Sequence, residues 1–185
     1  SLTNDTAVID ATLEVNAKVV ITGGGLADDI TGSASANFGD SITGGAGNDT
    51  FKFATANLIL ADSVDGGAGT NTIQLTNATT TTEVIDADFT AMTNVQVLTQ
   101  TADTAMEATI GDIATTAGIT TVTFADNDTA DEINIDADFG RNLTVNFDAD
   151  GAANRVLANA TYANNITVNA LMSEMDDNAH TITAG

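Results

Sequence analysis

Asp28, Asp40 and Asp49 each stand two positions ahead of a large apolar residue, Ile30, Ile42 and Phe51, and glycine lies shortly before each of them. The phrases are Gly23-Gly24-Gly25-Leu26-Ala27-Asp28-Asp29-Ile30, Asn37-Phe38-Gly39-Asp40-Ser41-Ile42 and Gly44-Gly45-Ala46-Gly47-Asn48-Asp49-Thr50-Phe51. A fourth, Gly66-Gly67-Ala68-Gly69-Thr70-Asn71-Thr72-Ile73, has Asn71 in place of Asp. Adjacent glycines permit a tight turn with positive φ that brings backbone carbonyls together, and the Asp adds a carboxylate to the same loop. A hard cation such as calcium takes six to eight oxygens at about 2.3 to 2.6 Å. The chemistry these residues suit is therefore oxygen coordination of several Ca2+ ions. The candidate metal donors are Gly23, Gly24, Asp28, Asp40, Gly44, Gly45, Gly47, Asp49, Gly67 and Asn71. Asp62 and Asp65 flank the fourth loop and can compensate there for the charge that Asn71 lacks.

These donors need strands to hold them. The apolar residue two positions after each Asp enters a strand and points inward, which places Ile30, Ile42, Phe51 and Ile73 in a core. Nine residues separate Asp40 from Asp49 and twelve separate Asp28 from Asp40, so a nine-residue period carries one three-residue insertion. Short apolar runs at Ala7 to Ile9, Leu13 to Val15 and Lys18 to Ile21 read as strands ahead of the glycine phrases. Beyond residue 75 glycine thins out, and apolar and polar residues alternate at 94–98, 119–124, 132–136, 143–147, 165–169 and 180–183. Alternation of this kind marks half-buried strands, and the Asp, Asn, Gly and Thr clusters between them are turn chemistry. Only 83–92 and 104–115 suit short helical turns. Even spacing of short strands predicts an all-β, right-handed parallel β-roll or β-helix solenoid. Its divisions are 1–75, with the N-terminal strands and the glycine phrases, and 76–185, a less regular continuation. The chain reads as a fragment of a longer protein.

The composition supports thin layers. Among 185 residues aromatics are 4%, with no Trp and one Tyr, so the core rests on Val, Ile, Leu, Ala and Thr. Lys plus Arg number 4 against 26 Asp plus Glu, a formal charge of −22. Four basic residues cannot neutralise a nucleic-acid backbone or an anionic membrane surface, and no apolar run has the length of a membrane span. Cys and Pro are both absent, so a secreted form gets its cross-links from something other than disulfides. Further acidic clusters at Asp126, Asp128 and Asp131, at Asp148 and Asp150, and at Asp176 and Asp177 read as either calcium sites or solvated turns; Asp126 and Asp128 join the candidate ligands. The single histidine, His180, lies in a strand-like alternation, and no nucleophile or phosphate-loop motif is present, so the reading is a protein without catalytic activity.

The glycine phrases resemble the RTX calcium-binding nonapeptide, Gly-Gly-x-Gly-x-Asp-x-(apolar)-x. Gly44 to Lys52 fits it at every specified position, and Gly23 to Thr31 fits except that Leu26 replaces the third Gly. The phrase ending at Ile42 keeps only the Asp and the apolar residue, and Gly66 to Gln74 has Asn71 for Asp. This resemblance, over roughly residues 20–75, implies a parallel β-roll with calcium between its turns and one-step secretion, folding being triggered by calcium outside the cell. More broadly, the chain is similar to surface-layer proteins of Gram-negative bacteria and to large RTX adhesins, which are also acidic, Cys-free and rich in Thr and Ala. That similarity implies an extracellular, cell-surface protein that self-assembles with identical subunits into a lattice and can contact a cell-surface polysaccharide. The alternatives are a spacer or binding module of a giant adhesin and the calcium roll of a secreted enzyme.

Overall fold

A computed structural model describes residues 5–76, 82–101, 104–125, 131–147, 154–170 and 181–183. In the N-terminal part the strands are β1 (Val8–Asp10), β2 (Val20–Thr22), β3 (Asp29–Thr31), β4 (Ser41–Thr43), β5 (Thr50–Phe53), β6 (Ser63–Asp65) and β7 (Thr72–Leu75). Then come β8 (Thr82–Val84), β9 (Met92–Thr93), β10 (Val97–Gln100), β11 (Met106–Ile110), the short helix α1 (Asp112–Ala117) and β12 (Thr121–Phe124). The last are β13 (Glu132–Ile135), β14 (Leu143–Phe147), β15 (Arg155–Ala158), β16 (Ile166–Ala170) and β17 (Thr181–Thr183). They form an eight-stranded sheet in the order β1-β3-β5-β7-β10-β12-β14-β16, a five-stranded sheet β17-β15-β13-β11-β8 and a four-stranded sheet β2-β4-β6-β9. Neighbouring strands are parallel throughout, for example β3 on β5 and β5 on β7. The chain is an all-β parallel solenoid, and its largest sheet passes residue 75 without a break.

Register shows what the sequence period means. Asp29 pairs with Thr50 and Thr50 with Thr72, a step of 21 and then 22 residues per coil. One coil therefore holds two of the Asp phrases, one at the start of the large sheet and one at the start of the four-stranded sheet. Ile30, Phe51, Ile73, Leu98, Val122 and Val145 stack in one inward rank, each fully buried. They face Ile42, Val64 and Met92, also buried, and at the other end Val84, Ala108, Ile133 and Val156. The expected core positions Ile30, Ile42, Phe51 and Ile73 are all in place. Phe124 and Phe147 stack with ring centroids 5.1 Å apart, as in-register neighbours in adjacent coils should.

Two local expectations change. Leu13 to Val15 is a loop, with Leu13 95% exposed, because its backbone is tied into a turn by the Glu14 N–H to Ala11 carbonyl bond and no neighbouring strand pairs with it. Strand β10 begins at Val97 and not at residue 94, because Asn94 takes the left-handed conformation, φ 57°, and turns the chain there. The two stretches read as short helical turns do hold them, a single 3₁₀ turn at Asp86–Phe89 between β8 and β9 and the start of α1 after β11, and a further 3₁₀ turn lies at Thr55–Asn57. Among the described residues no helix is long and apolar enough to cross a membrane.

Candidate metal centre

Where a turn feeds a strand of the solenoid, the backbone N–H of the residue just before the strand points along the stack toward the next coil. A buried N–H needs an acceptor, and here a side chain in the next coil supplies it. Ala7 N–H donates to Asp28 Oδ1 at 2.6 Å, Asp28 N–H to Asp49 Oδ1 at 2.8 Å, Asp49 N–H to Asn71 Oδ1 at 2.9 Å and Asn71 N–H to Gln96 Oε1 at 2.8 Å. A second column runs up the four-stranded sheet: Val19 N–H donates to Asp40 Oδ1 at 3.3 Å and Asp40 N–H to Asp62 Oδ1 at 2.7 Å. A third serves the five-stranded sheet, from Met106 N–H to Asp131 Oδ1 at 2.8 Å and from Asp131 N–H to Asn154 Oδ1 at 2.9 Å. Asp28, Asp40, Asp49, Asp62, Asn71, Asp131 and Asn154 are all buried.

The structure thus separates the candidate ligands into two groups. Asp28, Asp49 and Asn71 share one edge, whereas Asp40 stands on another with Asp62. Asp62 occupies the same position as Asp40 one coil later, which the glycine register did not reveal. Its signal is plain once glycine is ignored: Asp62-Ser63-Val64 repeats Asp40-Ser41-Ile42, and Asp131-Glu132-Ile133 and Asn154-Arg155-Val156 carry the same polar residue two ahead of an apolar one. Asp126 and Asp128 lie outside the described residues, as do His180 and the acidic pairs at 148/150 and 176/177. Asp65 is exposed, accepting from Gly67 N–H at 3.0 Å and from the Asn94 amide at 2.8 Å; these two bonds hold its carboxyl below the usual range, the amide contributing most.

The glycines fit because turns stack on turns. A Cβ on Gly44 would lie 2.2 Å from Asp49 Oδ2 and 2.7 Å from the Gly66 carbonyl oxygen, and one on Gly23 would lie 2.3 Å from both Asp28 Oδ2 and the Gly44 carbonyl oxygen. Gly45 adds a conformational demand: its φ is +112°, and a Cβ there would meet the Gly24 carbonyl oxygen at 2.1 Å. Replacing Gly45 by Ala should cost at least about 2 kcal/mol, from left-handed strain and the forced separation of two turns. A Gly45→Ala chain whose denaturant midpoint equals that of the parent would count against this interlock. Gly24 and Gly45 carbonyls already accept the Ala46 and Ala68 N–H at 3.0 and 2.8 Å.

No protein-family model, no curated protein and no solved structure matches the chain. The site's own geometry must carry the reading. Among the described residues no three Asp, Glu or His side chains converge as a metal cluster. Asp28 Oδ2 accepts the Gly24 N–H at 2.5 Å, Asp40 Oδ2 the Ser33 N–H at 2.7 Å and Asp62 Oδ2 the Ile59 N–H at 2.8 Å, so both oxygens of these three carboxylates are engaged. Asp49 differs. Its Oδ2 is buried without a hydrogen-bond partner, near the Gly66 carbonyl oxygen across Gly44. Burial, with the Asp28 charge adding to it, pushes the Asp49 carboxyl above its ordinary range despite the Asp28 N–H bond. A spare carboxylate oxygen beside a carbonyl oxygen is donor chemistry that fits a hard cation, and Asp49 is the candidate ligand at which the described residues leave such an oxygen.

Asp86 is a structural residue that spacing did not single out. From the coil before, its carboxylate accepts the N–H groups of Gly111 at 2.7 Å, Ile113 at 3.2 Å and Ala114 at 2.8 Å, capping α1 where Gly111 has no side chain to do so. Burial, together with the charges of Asp138 and Asp86, raises the carboxyl of Asp136.

Proposed function

We propose that the chain is a stretch of a structural, extracellular cell-surface solenoid of the surface-layer kind, stiffened by Ca2+ and assembling with identical subunits. The observation that carries this reading is the continuous ladder from Ala7 through Asp28, Asp49 and Asn71 to Gln96. In the phrases that looked like chemistry, the polar side chains hold one coil to the next, which is a scaffold's task. Calcium enters at the stacked glycine turns, where Asp49 Oδ2 is the oxygen left for it. Bound there, the ion supplies the positive charge that the Asp28–Asp49 column lacks and offsets part of the −22.

The test is assembly and melting. Adding Ca2+ to the dialysed chain should raise its melting temperature and produce ordered sheets by electron microscopy, and a chelator should reverse both. Calorimetry should count fewer ions in Asp49→Ala than in the parent. Melting that ignores both calcium and chelator, with unchanged stoichiometry in the variant, would remove calcium from the reading. A calcium-bound but strictly monomeric product would favour an adhesin spacer.

A further inference from the structure

The four basic side chains are not equivalent. Lys52 pairs with Asp29 at 2.6 Å and Arg155 with Glu132 at 2.5 Å. Arg141 has no carboxylate partner among the described residues, yet it is positioned: its Nε donates to the Thr115 carbonyl at 2.9 Å, and Tyr162 Oη donates to the Arg141 carbonyl at 2.6 Å. The adjacent Gly140 N–H donates to Thr115 Oγ1 at 2.8 Å. One bond from the neighbouring coil therefore orients the guanidinium through Nε, and two more hold the backbone that carries it. It lines a cleft of about 480 Å³ together with Thr93, Asn94, Gln96, Thr116 and Thr120, a volume within the range of small-molecule sites.

The free hydrogen-bonding capacity of the cleft is specific. Gln96 Oε1 is taken by the Asn71 N–H, which leaves Nε2 as a donor beside Gly118, 3.6 Å from where a Cβ there would stand. Thr116 Oγ1 donates to the Asp112 carbonyl at 3.0 Å and Thr120 Oγ1 to the Gln96 carbonyl at 3.4 Å, so both hydroxyl oxygens keep lone pairs to accept with. The Asn94 amide already donates to Asp65 at 2.8 Å. The remaining set is a guanidinium fork, an amide donor and two hydroxyl acceptors. The fork matches a carboxylate bidentately, and the rest suits ring hydroxyls. Large apolar side chains are absent from the lining, so a peptide's apolar anchors would find no seat.

We propose that this cleft binds a carboxylate-bearing sugar unit, with Arg141 holding the carboxylate and Gln96, Thr116 and Thr120 the hydroxyls. The inference rests on the proposed cell-surface function and adds a ligand class to it, and its test does not depend on lattice formation.

The probes are methyl glucuronide and methyl glucoside, which differ only at the carboxylate, titrated into the full chain at fixed calcium and followed by amide chemical shifts. The glucuronide should bind at least tenfold more tightly, with shifts at Gly118 and the Gln96 side-chain amide. Arg141→Gln should lose that preference while keeping its far-ultraviolet circular dichroism and its calcium-dependent melting, and Arg141→Lys should retain part of it. The proposal is overturned by equal binding of the two sugars, by shifts elsewhere, by a glucuronide preference that survives in Arg141→Gln, or by a short acidic peptide that displaces the glucuronide at equal concentration. The shift map on the parent chain decides the matter even if the variant folds poorly.

Discussion

In calcium-free buffer Asp49→Asn should melt above the parent chain and Asp49→Ala below it, and saturating calcium should reverse the order of Asn and Asp. The column explains why. Asp49 Oδ1 accepts the Asp28 N–H at 2.8 Å, and Ala at this position strands that buried donor, at a cost of about 1–3 kcal/mol. For a chain of this size each kcal/mol moves the melting temperature by about 2–4 °C. Asn keeps the acceptor and removes a buried charge. One coil further on the protein already uses that solution: Asn71 accepts the Asp49 N–H through Oδ1 and donates from Nδ2 to the Asn94 carbonyl at 2.9 Å. An amide at 49 would direct its Nδ2 toward the Gly66 carbonyl in the equivalent way, converting the unpartnered Oδ2 into a donor. With calcium present the comparison changes, since Asn offers no charge to the ion. If Asn proved as damaging as Ala without calcium, the column would require charge and not merely an acceptor, and the ladder account would fail.

The same comparison shows what could be read from residues alone. Inward positions were legible because period two in a strand depends only on neighbours in sequence: Phe51, Ile73, Val122 and Val145 alternate with Thr50, Thr72, Thr121 and Thr144. The division of the Asp residues was not legible. Both edges of a coil present the same local problem, an orphan N–H before a strand, and both solve it with Asp followed at plus two by an apolar residue, so a nine- and twelve-residue spacing looks like one series. Asp62 and Asp131 drew notice only as a flanking carboxylate and a member of an acidic cluster, because their turns lack the glycine that makes the others conspicuous, and Asn154 has Gly151 three positions ahead but carries no carboxylate. Helix α1 is a different case. Asp112-Ile113-Ala114-Thr115-Thr116-Ala117 has three β-branched residues and modest helix propensity, and its N-terminal N–H groups are capped by Asp86 from another coil. No local window contains that cause.

Stability in calcium-free buffer should rise as pH falls from neutral toward the ordinary Asp value, against the usual behaviour of carboxylates in native ion pairs. Asp49, Asp62 and Asp88 are each raised above the ordinary Asp value, burial being the largest cause in all three. Asp62 also stands against the charges of Asp40 and Asp88, and Asp88 against that of Glu83. A raised folded value means that the native state binds these protons more readily than the unfolded chain. The favourable contribution is complete below the unfolded value, near 4, and is lost as pH climbs through the raised folded values. Asp10 and Asp65 are shifted the other way, by the Thr12 hydroxyl and N–H and by the Asn94 amide and Gly67 N–H. Their stabilisation disappears only as pH falls through their lowered values, below the ordinary Asp range, so the two effects occupy different windows. General relief of the −22 self-repulsion acts in the same direction as the buried groups, and a triple Asp49→Asn, Asp62→Asn, Asp88→Asn chain separates the two. It should keep only the shallow slope due to overall charge and to Asp136, whose carboxyl is raised as well, whereas the parent's melting temperature should climb more steeply as pH approaches the ordinary Asp value. Calcium should flatten the parent's curve, because an ion at Asp49 does at neutral pH what the proton does in acid. A parent whose melting temperature is constant or falls across that interval would show that these carboxylates are compensated in the native state by partners other than a proton or a cation.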